Sequence, residues 1–422
     1  MPPPSPFTLI AELSYQCPLH CPYCSNPLDI GDSRHRRELE TEDWLRVFRE
    51  ARGLGVLQLA LTGGEPMLRR DLVALCEGAR DAGLYSSLIT AGTLFTRERA
   101  EALKAAGLDH VQISIQSPNP EDNDRIAGNR SFEKKIAAAW AAKELGFPLT
   151  INCVLHHQNL DRIEELLDLT LELGAQRLEL ANTQYYGWAV VNQAALMPSW
   201  EQLRRGEEAV RRFRERVGPA VDVLWVLPDY YEELPKPCMG GWGRTAMVVA
   251  PGGDVLPCQA ASTIPGLEFA SVREHPLGWI WNESDAFARF RGTGWMQEPC
   301  RSCPLGRQEE DWGGCRCQAL RLTGDAAATD PVCQFSPHHE RVVSARESVQ
   351  TAPRSGAADD SPKASPSGAA DHPAKAPPLG AADHPAKAPP SGAADHPAKA
   401  PPSGAADHPQ FVYRAMKRPA NV

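Results

Sequence analysis

The sequence predicts an α/β fold of parallel strand–helix units, joined to a cysteine-rich segment and ending in a tail that does not fold. Three observations carry this expectation. Short apolar runs alternate with amphipathic helical patterns from Phe7 to Val226, as βα units do. From Pro237 the alternation stops and seven cysteines follow, from Cys238 to Cys333. From about Thr351 the chain is a Pro-, Ala- and Gly-rich repeat. The expected division is 1–235 for the α/β part, 236–345 for the cysteine-rich part, 346–409 for the repeat, and 410–422 for a C-terminal segment.

Composition narrows the function. With 422 residues, 42% of them hydrophobic, the chain can bury a sizeable core. A net charge of −9 argues against a nucleic-acid partner, which wants a basic face. No apolar run is long enough to predict a membrane span. Met1-Pro2-Pro3-Pro4-Ser5-Pro6 lacks the basic and apolar regions of a secretory signal. Twelve cysteines without such a signal point to a reducing, cytoplasmic setting, where clustered thiols more often bind metal than pair as disulfides.

Taken in order, the apolar run Phe7–Ala11 leads as a strand into Cys17-Pro18-Leu19-His20-Cys21-Pro22-Tyr23-Cys24. Glu40–Asp43 reads as a helix start with Thr41 as N-cap. Trp44, Val47, Phe48 and Ala51 then share one helix face. Val56–Leu61 is a strand running into Thr62-Gly63-Gly64-Glu65-Pro66. Helix Asp71–Ala82, strand Leu84–Thr90, helix Thr96–Ala106 and strand His110–Gln116 follow. Next come helix Ser131–Leu145, strand Leu149–Leu155, helix Leu160–Leu173 and strand Gln176–Ala181. A helix over about Trp200–Arg214 and an extended run Val221–Val226 close the series. Ligands of parallel α/β folds bind at the carboxyl ends of the strands. Cys24, Glu65, Ser114 and Asn152 are expected at or near such ends.

The spacing C-x3-C-x2-C places three thiolates in one loop, and soft thiolates select zinc, Cu(I) or iron–sulfur clusters. A structural zinc site wants a fourth ligand, for which His20 or His35 is the nearby choice. On a four-iron cluster, three cysteines leave one iron open to a small molecule. In Gly63-Gly64-Glu65 the glycines allow close backbone approach and the carboxylate can meet an ammonium; the alternative is an ordinary strand–turn–helix corner. Gln112, Ser114 and Gln116 alternate on one strand face, which suits a polar interior. Cys76 and Cys153 stand alone and read as small buried hydrophobes.

Seven thiols between Cys238 and Cys333 fall short of the eight ligands that two four-ligand clusters need, so one ligand is another group or one position is open. The loop between Cys303 and Cys315 offers Glu309, Glu310 and Asp311. The alternative is a four-thiolate zinc site of Cys300, Cys303, Cys315 and Cys317. Either way the segment is metal-stapled and its folding should depend on metal.

The N-terminal spacing, with Gly-Gly-Glu-Pro about forty residues on, resembles the radical SAM enzymes, and the second cysteine set resembles their SPASM extension. Three stretches are similar to those of one family within them, the PqqA peptide cyclases of pyrroloquinoline quinone (PQQ) synthesis: Cys17–Pro27, Leu178–Ala189, and Asp311-Trp312-Gly313-Gly314-Cys315-Arg316-Cys317-Gln318-Ala319. The resemblance covers residues 7 to about 340. It implies a partial (β/α)6 radical SAM barrel with a C-terminal SPASM-type iron–sulfur domain. Cys17, Cys21 and Cys24 would hold a [4Fe-4S] cluster whose open iron takes S-adenosylmethionine (SAM). Tyr23, Gly63, Gly64, Glu65, Ser114, Arg125 and Asn152 would contact SAM. Two auxiliary iron–sulfur clusters, 2Fe or 4Fe, would sit on Cys238, Cys258, Cys315 and Cys317, and on Cys300, Cys303, Asp311 and Cys333. Asp311 departs from the family pattern, which usually has a third cysteine there.

The activity implied is a C–C crosslink between a glutamate and a tyrosine side chain of the precursor peptide PqqA. The implied partners are that peptide, the peptide chaperone PqqD, and an electron donor such as flavodoxin or a reductase. Leu178–Ala189 would then be a peptide-facing wall. The alternatives are another SPASM-type maturase, forming thioethers or formylglycine, and a zinc-binding scaffold. The tail lies outside the resemblance. A twelve-residue unit recurs from Ser367, Leu379 and Ser391 with no apolar face to bury, which predicts a disordered linker. Its histidines His372, His384, His396 and His408 read as solvated. Phe411–Met416 regains apolar character and is expected to dock back on the body.

Overall fold

The computed structural model describes residues 3–28 and 37–351. His35, the repeat and the segment 410–422 lie outside the described residues. Among those described, nine strands form one sheet: β1 Thr8–Glu12, β2 Gln58–Thr62, β3 Tyr85–Thr90, β4 His110–Ser114, β5 Leu149–Leu155, β6 Arg177–Asn182, β7 Asp222–Trp225, β8 Ala246–Val249 and β9 Val255–Leu256. Their order is β7-β6-β5-β4-β3-β2-β1-β8-β9. Strands β1 to β7 follow one another in chain order, all parallel. That is the order of a barrel wall, where a doubly wound sheet would reverse direction at a switch point. β1 pairs with β8 and not with β7, so the wall stays open.

The helices are α1 Thr41–Gly53, α2 Leu72–Asp81, α3 Arg97–Ala106, α4 Pro120–Ala127, α5 Phe132–Glu144, α6 Ile163–Glu172, α7 Trp188–Val191, α8 Gln193–Leu196 and α9 Trp200–Val217. The C-terminal part adds α10 Leu277–Glu283, α11 Asp285–Ala288, α12 Gln308–Asp311, α13 Arg316–Thr323 and α14 His339–Thr351. α1 buries Trp44, Val47, Phe48 and Ala51, and α6 buries Ile163, Leu166, Leu167 and Thr170, the stripes their spacing predicts. All of these but Thr170 join Leu9, Leu59, Leu88, Val111, Ile113, Ile151 and Leu178 of the strands in one core. Each large side chain buried there contributes about 1.5–3 kcal/mol relative to exposure. The core therefore lies between sheet and helices, and leaves the alternate strand residues facing inward.

Three local expectations change. The N-cap of α1 is Glu40, whose backbone N–H donates to the Asp43 carboxylate (3.3 Å). Thr41 lies inside the helix because its hydroxyl is drawn to Asp71 (2.6 Å). Between β4 and α5 the chain forms α4, capped by Asn119, which accepts from the Asp122 N–H (3.0 Å), with Pro120 at the first position. The cysteine-rich part is not free of strands. β8 extends the sheet beyond β1 in parallel register from Thr8↔Ala246 to Ala11↔Val249, and β9 returns antiparallel. The N–H groups of Phe7 and Thr8 both donate to the Thr245 carbonyl (2.7 and 3.1 Å).

Candidate functional site

The loop after β1 carries Cys17, Cys21 and Cys24, all half-buried. Its path is fixed by hydrogen bonds to its backbone from two sides. The His20 N–H donates to the Ala127 carbonyl (2.8 Å) at the end of α4, and Asn129 Nδ2 to the Pro18 carbonyl (3.0 Å). The Trp188 N–H donates to the Cys24 carbonyl (3.0 Å), and Asn192 Nδ2 to the Pro22 carbonyl (2.9 Å). Leu19, Ala91 and Ala127 pack against Cys17 and Cys21. The Cys17 and Cys24 thiols both feel the charge of Cys21. Burial, with that repulsion added, pushes Cys17 and Cys24 up to about 12; burial alone raises Cys21, against the pull of Lys135. A metal centre supplies the positive charge that would let all three ionise.

Gly63 and Gly64 bring the end of β2 against this loop. Gly63 has φ +128°, and a Cβ on it would stand 2.3 Å from the Ser14 carbonyl oxygen. At Gly64 a Cβ would stand 2.4 Å from the carbonyl oxygen of Gln16. The N–H groups of Gly64 and Glu65 donate to those same two carbonyls (2.6 and 2.8 Å). The close approach these glycines allow is thus to the chain's own backbone, immediately before Cys17. Glu65 is fully buried. Its carboxylate accepts from the Met67 N–H (2.9 Å), the Thr90 hydroxyl (2.7 Å) and the Ala91 N–H (2.8 Å), tying the ends of β2 and β3 together.

Inside the wall the polar residues pair with one another. His110 bridges Ser87 (2.7 Å) and Thr150 (2.8 Å), and burial pulls its imidazole down to about 4, so it is neutral at pH 7. Asn152 lies opposite Glu179 in the β5–β6 register, and Glu179 pairs with Arg177 (3.1 Å). Ser114 lies at the end of β4. The ring of Tyr23 lies 5.4 Å from that of the fully buried His156. Arg125 is half-exposed on α4; its guanidinium pairs with Asp122 (3.1 Å) and donates to Gln158 (3.1 Å).

The structure separates the C-terminal candidate ligands into two sets. Cys238, Cys258, Cys315 and Cys317 face one another, with the Cys258 and Cys317 sulfurs 3.8 Å apart. The neighbouring thiols of Cys238 and Cys317 hold the Cys258 thiol down to about 5. Cys300, Cys303, Asp311 and Cys333 line a separate cleft that opens to solvent. Burial raises Cys300 and Asp311 and pushes Cys333 up to about 11. The zinc alternative drew two cysteines from each set, and the fold keeps those pairs apart. Among the described residues no three His, Cys, Asp or Glu side chains close on a single ion. Soft thiolates disposed in such sets suit zinc, Cu(I) or iron–sulfur clusters.

Two features were missed in the sequence. Lys135 of α5 is fully buried beneath the cysteine loop. Its Nζ donates to the Ser114 carbonyl (2.8 Å) and to Gln116 Oε1 (2.6 Å). Burial pulls it down to about 8 against the attraction of Cys21, Glu65 and Cys17. The signal was its place at i+4 from Ser131, on the face of α5 that carries Ala138, Ala139 and Ala142. Tyr186 packs against the apolar cluster that holds Cys258 and Cys317. With Gly187 and Trp188 against Cys24, part of the aromatic stretch braces the loop.

Comparison with known proteins agrees with this layout. Residues 12–170 match the radical SAM superfamily, and residues 238–304 match SPASM, an iron–sulfur cluster-binding domain. The chain is 52% identical over 354 residues to a PqqA peptide cyclase of Methylobacterium sp. (strain 4-46), covering 83% of this chain and 92% of that protein. It is 50% identical over 351 residues to a PqqA peptide cyclase of Xanthomonas axonopodis pv. citri (strain 306), covering 83% and 93%. Streptococcus suis SuiB, solved bound to S-adenosylmethionine, shares the fold with a TM-score of 0.66 at 23% identity, over 78% of this chain and 77% of SuiB.

Proposed function

Because this chain belongs to the PqqA peptide cyclases, radical SAM enzymes with a SPASM extension, we propose that it joins the γ-carbon of a glutamate to the ring of a tyrosine in the peptide PqqA. Each of the two carbons loses one hydrogen, so the product is two hydrogens lighter. One hydrogen leaves as an atom; the other leaves as a proton and an electron. When bound, a [4Fe-4S] cluster with SAM supplies methionine and a 5′-deoxyadenosyl radical that takes the glutamate hydrogen.

The chain's own residues hold and orient. Cys17, Cys21 and Cys24 would ligate the cluster, and the observation that carries the reading is their convergence in one braced loop at the carboxyl end of β1. The chain around Gly63, Gly64 and Glu65 fixes the floor of that loop. Tyr23, Ser114 and Asn152 stand at the same end of the wall and are the proposed SAM contacts, with those three. Arg125 would join them by releasing Asp122. The two C-terminal ligand sets would each hold an auxiliary cluster, 2Fe or 4Fe, near enough to take up the departing electron. PqqD as peptide carrier, a flavodoxin or reductase as electron donor, and a cytoplasmic location complete the proposal, with 1–235 and 236–345 as the two folded parts.

The test is the mass of PqqA after anaerobic turnover with SAM, reductant and PqqD. The proposal expects a product lighter by two hydrogens, with the change confined to the glutamate and the tyrosine. PqqA recovered unchanged by enzyme that cleaves SAM would favour a different peptide and overturn it.

A further inference from the structure

In the proposed coupling the tyrosine ring gives up one hydrogen as a proton and an electron, so a group at the strand mouths must take that proton. A buried carboxylate suits the task, because burial raises its affinity for a proton. Acids are almost never fully buried unless paired, yet Glu12, the last residue of β1, is only 8% exposed. Both of its partners are neutral. The Tyr15 hydroxyl donates to one carboxylate oxygen (3.3 Å), and the Gln259 side-chain amide donates to the other (2.8 Å). Among the described residues no lysine or arginine pairs with it. A carboxylate accepting at both oxygens is in the pattern of its ionised form, and lone pairs remain on each.

Strand alternation turns Glu12 into the barrel. Leu9 and Ala11 belong to the core between sheet and helices, so Ile10 and Glu12 share the inward face. Ile10 packs against the apolar cluster that holds Val248 and Cys258, and Gln259 follows Cys258 in the chain. Glu12 stands at the carboxyl end of β1, the end at which parallel α/β folds bind their ligands. Tyr15 ties it to the approach to Cys17, and Gln259 ties it to the thiolate set of Cys258. Glu65, the other buried acid at this end, is held differently: two backbone N–H groups and a hydroxyl lock it between β2 and β3. Glu12 is aimed by two side chains, one from each part of the chain.

We propose that Glu12 is a catalytic residue of the coupling step, its carboxylate accepting the proton that leaves the tyrosine ring as the C–C bond is made. This deepens the proposed cyclase reading and rests on it. The γ-carbon radical adds to the ring carbon, and the C–H bond at that carbon then breaks. Its proton goes to Glu12 and its electron to a one-electron iron–sulfur acceptor, for which the set containing Cys258, one residue from Gln259, is the candidate. The ring regains its aromaticity and the peptide is two hydrogens lighter. A purely structural role, tying β1 to the C-terminal part, would lower stability and leave the number of crosslinks per abstracted hydrogen unchanged.

The test uses the full-length, cluster-loaded chain and PqqA deuterated at the glutamate γ-carbon, turned over anaerobically with SAM, reductant and PqqD. Iron content, deuterium in 5′-deoxyadenosine and crosslinked peptide are measured together. E12Q is expected to keep its iron and to move deuterium as wild type does, while crosslinked peptide falls about a hundredfold. E12D, which keeps the carboxylate, should recover part of that loss. Q259L, which keeps Glu12 but frees one of its oxygens, should lower crosslinks per transferred deuterium by about tenfold. An E12Q chain that crosslinks as wild type does overturns the inference alone. One that loads iron but loses deuterium transfer along with the crosslink places Glu12 at an earlier step and also overturns it. A wild-type chain that makes no crosslink overturns it together with the cyclase reading. If E12Q does not fold, Q259L decides, and an unchanged ratio there refutes the proposal.

Discussion

Alanine at Cys17, Cys21 and Cys24 together abolishes formation of 5′-deoxyadenosine from SAM and removes about four irons per chain, while iron held by the C-terminal thiolates stays. The loss is complete because no other thiol can replace the three. Cys76 and Cys153 are fully buried in the sheet–helix core, and the C-terminal cysteines face each other in their own sets. The fold survives because the loop hangs on bonds that do not involve its sulfurs: His20 to Ala127, Trp188 to Cys24, Asn192 to Pro22. Iron analysis and chromatography of the nucleoside products check both halves. A triple variant that still cleaves SAM would end the account.

The C238A/C258A double variant is expected to do wider damage, losing iron from the N-terminal loop as well as from its own site. These two cysteines flank β8, which is hydrogen-bonded along β1. Thr245 holds Phe7 and Thr8, and Gln259, next to Cys258, donates to Glu12 at the end of β1 (2.8 Å). Disordering 238–258 therefore frees one edge of the strand that delivers Cys17. A structural metal contributes about 10–16 kcal/mol to a small domain. Losing even a third of that, at about 2–4 °C per kcal/mol for 150–250 residues, lowers the melting temperature by roughly 10 °C. A double variant with unchanged melting and unchanged SAM cleavage would show that the two regions are independent.

This coupling was not legible in the sequence, and the reason is physical. Periodicity marks which residues of a strand are apolar, not which strand it joins. Ala246-Met247-Val248-Val249 is four residues long, buried throughout, and sits among cysteines. The stripes of α1 and α6 were readable because each amphipathic helix packs one face on the sheet. Asn119-Pro120 carried an N-cap and a first-turn proline, and so announced α4 to a closer reading. Thr41 has the chemistry of a cap, but Asp71 competes for its hydroxyl.

The site divides the same way. Cysteine spacing and the Gly-Gly-Glu run identify the loop and its neighbour because metal chemistry and backbone clearance need those residue types locally. What the glycines clear room for, the Ser14 and Gln16 carbonyls, is a tertiary fact. So is the burial of Lys135, since a lysine in a helix reads as solvated until the opposite wall is known.

Deuterium tracing reaches furthest into the account. PqqA carrying deuterium on the glutamate γ-carbon is turned over anaerobically with SAM, and the 5′-deoxyadenosine formed is weighed. The account predicts one deuterium in that nucleoside for each crosslink made. Crosslinked peptide accompanied by 5′-deoxyadenosine holding only protium would contradict it.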